Sequence, residues 1–174
     1  SIMGILSGAV APEQAAQVFD ALVADPSLTQ ATVYYQFYLV RAMIRAGLAD
    51  RYLDRLGTWK EMLSNGLTTF AEEPEPARSD CHAWSASPNY YLLSTVCGIL
   101  PAEPGFASVL IEPHMGPLTR LSGGVPHPRG MISVDLKREG TRVTGRVVLP
   151  EGLGGTYRQG GRTLTLHGGE NTIE

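Results

Sequence analysis

The hydrophobic pattern changes once along the 174-residue chain, close to Pro101. Before that point apolar side chains recur at the three- and four-residue spacing of amphipathic helices. After it, short runs alternate with period two between turns rich in Gly and Pro, and no helical pattern separates them. Strands without crossover helices favour antiparallel pairing. We therefore predict an α+β protein with helices over residues 1–100 and an antiparallel β-sandwich over residues 101–174.

The first half contains segments with helical periodicity, bounded by residues that begin or end helices. Helix 30–47 is apolar over much of its circumference, so we expect neighbours on several sides, or self-association where these are missing. Gly47, Gly66 and Gly98 are suited to helix ends, whereas Gly57 weakens the helix that contains it. The predicted helices span residues 12–23, 30–47, 50–64 and 88–97.

The second half contains signals for several hairpins. Val134 and Leu136 alternate with polar residues, the turn at 138–141 follows, and alternation resumes at Val143. Two glycines at 160–161 mark another hairpin. The two prolines around His127 indicate a turn before a strand.

Composition argues against several classes of partner. The formal net charge is −3 and the Lys and Arg residues are scattered, so no basic stripe is available for nucleic acid. No apolar run approaches the roughly 20 residues that span a bilayer, and no membrane partner is expected. Cys81 and Cys97 are too few for a disulfide scaffold and leave the cellular compartment open. The first residues lack a signal-peptide pattern and resemble a sequence begun partway through.

Residues 68–91 concentrate reactive side chains between prolines. Glu72, Glu73, Glu75 and Asp80 are candidate general acids or bases, because most glycosidases use two positioned carboxylates. Acidic residues among prolines more commonly form a solvated loop. Arg78 is a candidate partner for Asp80 or for a ligand, with a surface ion pair as the default.

The downstream part of this stretch has several interpretations. Asp80, Cys81 and His82 suggest a metal site or a thiol nucleophile, but the other histidines occur singly, so a buried Cys and a hydrogen-bonding His are favoured and no metal or cofactor is expected. Trp84 suggests stacking on a sugar ring, with His82 donating to hydroxyls. Aromatic residues at a helix start are more commonly part of a core.

Four motifs in order resemble the carboxy-terminal part of bacterial α-L-rhamnosidases, which are inverting glycoside hydrolases. They are GLTTFAE, RSDCHAWSASP, CGILPAEPGF and PHPRGMISV. The resemblance covers most of the chain and implies the last helices of an (α/α)6 barrel followed by a β-sandwich. It also implies rhamnose-containing glycosides as substrates.

The resemblance assigns roles to three residues. It implies that Glu72 is the general base and that His82 and Trp84 contact the sugar. Many members have Trp before the base, where this chain has Ala71, and Glu73 remains an alternative.

The general acid of this family lies upstream, so we expect a fragment that needs the upstream barrel and is inactive alone. The rival hypotheses are a carbohydrate-binding or scaffold module, and a structural β-domain with a helical dimerisation arm.

Overall fold

The computed structural model describes residues 1–174, which form two compact units, Ser1–Asn89 and Tyr90–Glu174. The first unit is helical, and the second contains both sheets. The secondary structure is therefore mixed α+β, with helices first and strands second, as the hydrophobic pattern predicts. The assignment of residues 1–100 and 101–174 to two domains stays a prediction.

Short helices connected by turns make up the first unit. One further α-helix begins in this unit and continues into the second, where it is followed by one turn of π-helix. The α-helices are α1 (Ile2–Ser7), α2 (Pro12–Ala24), α3 (Gln36–Arg45), α4 (Gly57–Ser64) and α5 (Ser87–Tyr91), and the first unit also has 3-10 helices at Ala49–Arg55 and Ala83–Ser85.

Two of the predicted helices are shorter than their sequence patterns. Residues 30–35 lie outside α3, and the Gln30 side-chain amide donates to the carbonyls of Asp25 and Leu28 in the turn that precedes this segment. The predicted helix at 50–64 divides into a 3-10 segment and α4, which begins at Gly57. The low helix propensity of glycine makes a break at this point inexpensive.

The first unit has an apolar core but does not form a closed barrel. α3 contacts α1, α2 and the 3-10 helix that follows it. A second cluster of buried side chains lies around α4. The main core consists of Ile5, Ala15, Phe19, Leu39, Val40, Ala42, Met43, Ala49 and Tyr52.

The second unit contains two four-stranded sheets, with strand orders β1-β2-β6-β7 and β3-β4-β5-β8. All neighbouring strands are antiparallel except β2 and β6, which pair in parallel. Between these two strands the chain passes through β3, β4 and β5 of the other sheet, and this excursion replaces the crossover helix of a parallel pair. The strands are β1 (Ile99–Pro101), β2 (Ser108–Ile111), β3 (Arg120–His127), β4 (Gly130–Glu139), β5 (Arg142–Leu149), β6 (Gly154–Gln159), β7 (Arg162–Leu166) and β8 (Gly169–Ile173).

The hairpins lie where the turn residues predict them. β3 and β4 are joined at the turn that follows His127, and β4 and β5 at Gly140. Gly160 and Gly161 have φ of +56° and +78°, so the β6–β7 turn has positive φ at both central residues, as a type I′ turn requires. Alternate side chains of β4 and β5 are buried, which confirms the predicted period-two pattern.

None of the helices has both the length and the apolar character needed to cross a membrane.

Candidate functional site

The candidate site is a loop of residues 69–85, here called the site loop, which turns back on itself. The Glu72 amide donates to the Ser79 carbonyl at 2.8 Å, and the His82 amide donates to the Phe70 carbonyl at 2.7 Å. The Thr69 hydroxyl donates to the carbonyl of Asp80. These bonds connect the arm that carries Glu72 to the arm that carries His82.

Apolar packing attaches the site loop to α4. Ala71 is 1% exposed and lies in a cluster with Val33, Trp59 and Met62. The Trp59 indole Nε1 donates to the buried carbonyl of Ser85 at 2.7 Å, so α4 also holds the carboxy-terminal end of the loop. The backbone on either side of the reactive residues is thus fixed by one helix.

The Glu72 carboxylate accepts a two-point contact from Arg78. Arg78 Nε lies 2.9 Å from Glu72 Oε2, and Arg78 Nη2 donates to Oε1. The Glu72 side chain is 20% exposed and that of Arg78 is 80% exposed. Hydrogen bonding to Glu72, assisted by its charge, raises the pKa of Arg78. The carboxylate is therefore partly shielded and oriented by Arg78.

The other acidic residues of the loop have different surroundings. Glu73 and Glu75 are exposed and lie beside α4 in a shallow cleft with Glu61. The Glu75 carboxylate accepts the Ala77 amide at 3.2 Å. Asp80, the expected partner of Arg78, is exposed. Among the four acidic candidates, Glu72 has a side chain that is partly shielded and that also binds a cation, Arg78, at two points.

His82 and Trp84 lie at the carboxy-terminal end of the site loop. His82 is half-buried and precedes the 3-10 turn at Ala83–Ser85, where its carbonyl accepts the Ser85 amide at 3.0 Å. Trp84 is 69% exposed, and its ring centroid lies 5.1 Å from that of Tyr34. Trp84 is thus a surface aromatic supported by a second ring, rather than part of the core.

Sequence reasoning did not predict two of the contacts at this site. Arg78 is bonded to Glu72, six residues earlier, and not to Asp80. Tyr34 supports Trp84 from a segment that was expected to be helical. Both contacts depend on how the chain turns, and no local pattern in the sequence indicates them.

The cysteines and histidines of the chain have several different environments. No group of three His, Cys, Asp or Glu side chains is placed to hold a metal ion. Cys81 is exposed, so the expectation of a buried Cys at this position is wrong. Cys97 is buried, and burial raises the pKa of its thiol. His127 Nε2 lies 3.1 Å from the Phe106 carbonyl, and His127 Nδ1 accepts the Arg129 amide in the turn that the sequence predicts before β4.

A protein-family comparison matches residues 98–156 to the bacterial alpha-L-rhamnosidase C-terminal domain. The match covers about a third of the chain. The matched segment contains β1 to β5 and the start of β6, so the similarity to this family concerns the β unit and not the site loop. A comparison with curated protein sequences finds no match.

Solved rhamnosidase structures resemble a larger part of the chain. A GH78 family rhamnosidase of Bacillus sp. GL1 is 27% identical with a TM-score of 0.80, over 90% of this chain and 18% of its own. The α-L-rhamnosidase of Aspergillus terreus is 19% identical with a TM-score of 0.80, over 94% of this chain and 21% of its own. That of Streptomyces avermitilis, complexed with L-rhamnose, is 16% identical with a TM-score of 0.68, over 77% of this chain and 17% of its own.

The segment that is similar to the rhamnosidase C-terminal domain is therefore preceded by a helical segment that also resembles the fold of those enzymes. The chain spans about a fifth of the length of the solved structures it matches.

Proposed function

We propose that this chain is the carboxy-terminal part of an enzyme that removes terminal α-L-rhamnose with inversion, and that Glu72 is its general base. The observation that carries the proposal is the bidentate contact of Arg78 with the partly shielded Glu72 carboxylate. The likeness of this chain to a GH78 family rhamnosidase over 90% of its length supports the substrate class.

An inverting base acts on water rather than on the sugar. The carboxylate accepts a proton from a water molecule that attacks the anomeric carbon from the face opposite the leaving group. A second carboxyl, about 6.5–9.5 Å away, protonates the departing oxygen. The candidate base is on this chain, and we place the acid in the upstream part of the enzyme.

His82 and Trp84 are proposed to bind the sugar. The backbone bond from His82 to Phe70 connects the arm with His82 to the arm with Glu72. The exposed Trp84 indole offers an apolar face to the C–H face of a pyranose ring, and Tyr34 supports it.

The chain alone is proposed to be inactive, because one of the two carboxyl groups is missing. Its partner is the upstream part of the same enzyme. Exposed apolar side chains on the helical unit support such a partner, or self-association when it is absent: Met3 is 51%, Leu28 47% and Leu63 73% exposed.

The decisive experiment measures hydrolysis of an aryl α-L-rhamnoside by the longest natural form that contains this chain. We expect Glu72→Gln to reduce kcat by roughly 10²–10⁴-fold, the usual contribution of a general base. Glu73→Gln is the matched control, since it changes the neighbouring and more exposed carboxylate, and it should keep near-normal activity. Proton NMR of the first product should show the anomer opposite to that of the substrate.

Azide distinguishes loss of the base from loss of the fold. This anion needs no base, so with Glu72→Ala it should form a carbon–nitrogen bond at the anomeric carbon as the glycosidic bond breaks, giving the inverted rhamnosyl azide. Full activity of Glu72→Gln, or activity lost only with Glu73→Gln, would contradict the assignment of Glu72.

A second candidate, a sugar-binding module without hydrolysis, is favoured by the exposure of Trp84. It predicts saturable rhamnose binding to this chain that is lost with Trp84→Ala and retained with Glu72→Gln, together with no activity in the longer protein. Quenching of tryptophan fluorescence measures the binding.

A further inference from the structure

The position of the Arg78 guanidinium group is explained by its contact with one carboxylate, that of Glu72. Arg78 donates from Nε to one oxygen of Glu72 and from Nη2 to the other, which is the planar geometry that an arginine forms with a carboxylate. Its side chain is otherwise 80% exposed. A pair this exposed adds little to folding stability, so its effect on the orientation of Glu72 matters more.

We propose that Arg78 is a positioning residue that holds the Glu72 carboxylate in the orientation needed to accept a proton from the attacking water. The proposal rests on the assignment of Glu72 as the general base. Arg78 acts through Glu72, and contact with the sugar is not part of this role.

The backbone alone does not fix the Glu72 carboxylate. The amide bond to Ser79 holds the main chain, but the side-chain torsions of a glutamate remain free. A two-point contact fixes the plane of the carboxylate as well as its position. A carboxylate has about four lone-pair sites, so the contact leaves sites free on both oxygens for water.

The neighbouring charges increase the need for a cation at this position. Glu73, Glu75 and Asp80 lie on the same loop, and Glu61 of α4 borders the cleft beside it. These negative groups would repel the Glu72 carboxylate and favour other rotamers. Arg78 counteracts this repulsion, and its own charge is favoured by Glu72 and, to a smaller extent, by Glu73.

The test compares kcat and KM for Arg78→Ala and Arg78→Lys in the longest natural form of the enzyme. A base displaced by about 1 Å costs around 100-fold in rate, so Arg78→Ala should lower kcat by about 10- to 100-fold while KM changes little. Arg78→Lys should recover only part of the loss, because an ammonium group contacts one point. Guanidinium ion, at concentrations far below those that unfold proteins, should restore activity to Arg78→Ala.

Arg51 provides the matched control. It forms an exposed ion pair with Asp20 in the same helical unit, at 2.6 Å between Nη1 and Oδ1. Arg51→Ala removes a comparable pair far along the chain from the site loop, and should leave kcat unchanged. Equal losses for the two variants would show a general effect of surface charge and would overturn the proposal.

The double variant Glu72→Gln/Arg78→Ala shows whether Arg78 acts through Glu72. We expect its kcat to equal that of Glu72→Gln, since a positioning residue has nothing left to position. Additive losses, or a rise in KM at constant kcat, would indicate direct contact with the substrate and overturn the proposal. If Glu72→Gln is inactive while Arg78→Ala is normal, the base assignment stands and this inference fails. If Glu72→Gln is fully active, both fail.

Discussion

At the scale of single residues, Gly98 and Gly105 offer a matched test of why a position requires glycine. Both have φ of +69°. A Cβ at Gly98 would lie 2.1 Å from the carbonyl carbon of Glu112, whereas one at Gly105 would have no atom within 4 Å. Gly98→Ala should therefore lower the free energy of unfolding by about 4 kcal/mol or more, and Gly105→Ala by only about 1–2 kcal/mol.

Urea unfolding of the two variants measures this difference, and the wild-type chain provides the reference. Similar losses in both would show that the backbone dihedral angle, and not the approach of Glu112, makes glycine necessary at residue 98. The sequence predicts Gly98 as the end of a helix, but the close approach of Glu112 comes from strand pairing. β1 pairs with β2, and Glu112 directly follows β2.

The contacts within the candidate site were not predictable at this scale. Motifs suggest roles for Glu72, His82 and Trp84, and those roles stay predictions, whereas the partner of Arg78 was expected to be Asp80 or a ligand. The pairing with Glu72 arises because the backbone turns between residues 72 and 79. Prolines at 74 and 76 restrict that segment without determining the direction of its turn.

At the scale of elements, α4 and the site loop are joined by one buried hydrogen bond. Trp59 is 8% exposed and donates to the Ser85 carbonyl at 2.7 Å. Trp59→Phe should cost about 2–4 kcal/mol, since it leaves that carbonyl unpaired and removes part of a packed ring. The exchange of the Ser85 amide, which bonds to His82, should become faster.

Trp84→Phe is the control for this prediction, because Trp84 is 69% exposed. Its effect on the free energy of unfolding should stay within about 0.5 kcal/mol. Equal losses from the two substitutions would mean that α4 does not anchor the site loop through Trp59.

The order and type of the main elements were also predictable, because helical and strand periods differ. The residues at which the elements end, and the elements with which they pair, were harder to predict. Residues 30–35 lie outside α3, although the apolar pattern continues there. The parallel pairing of β2 with β6 joins strands more than 40 residues apart, and the local alternation of each strand is the same for either direction of pairing.

At the scale of the whole molecule, each unit contains a buried tyrosine whose pKa is raised and whose titration affects stability. Burial raises the pKa of Tyr52 in the helical unit, and raises that of Tyr157 in the β unit to about 12. Unfolding exposes both phenols and returns their pKa values to about 10. Above that pH the unfolded chain binds fewer protons than the native chain, so the free energy of unfolding falls as pH rises.

The stability that depends on these phenols is therefore fully present below about pH 10. For Tyr157 it is lost as pH rises to about 12, at up to about 1.4 kcal/mol per pH unit. Thermal unfolding between pH 8 and 12 should show this loss of stability. Tyr157→Phe should make the stability of the β unit depend less on pH, and Tyr52→Phe should do the same for the helical unit. Tyr38→Phe is the control, because Tyr38 is 40% exposed and its replacement should leave the slope unchanged. A slope unchanged in all three variants would show that other groups control alkaline unfolding.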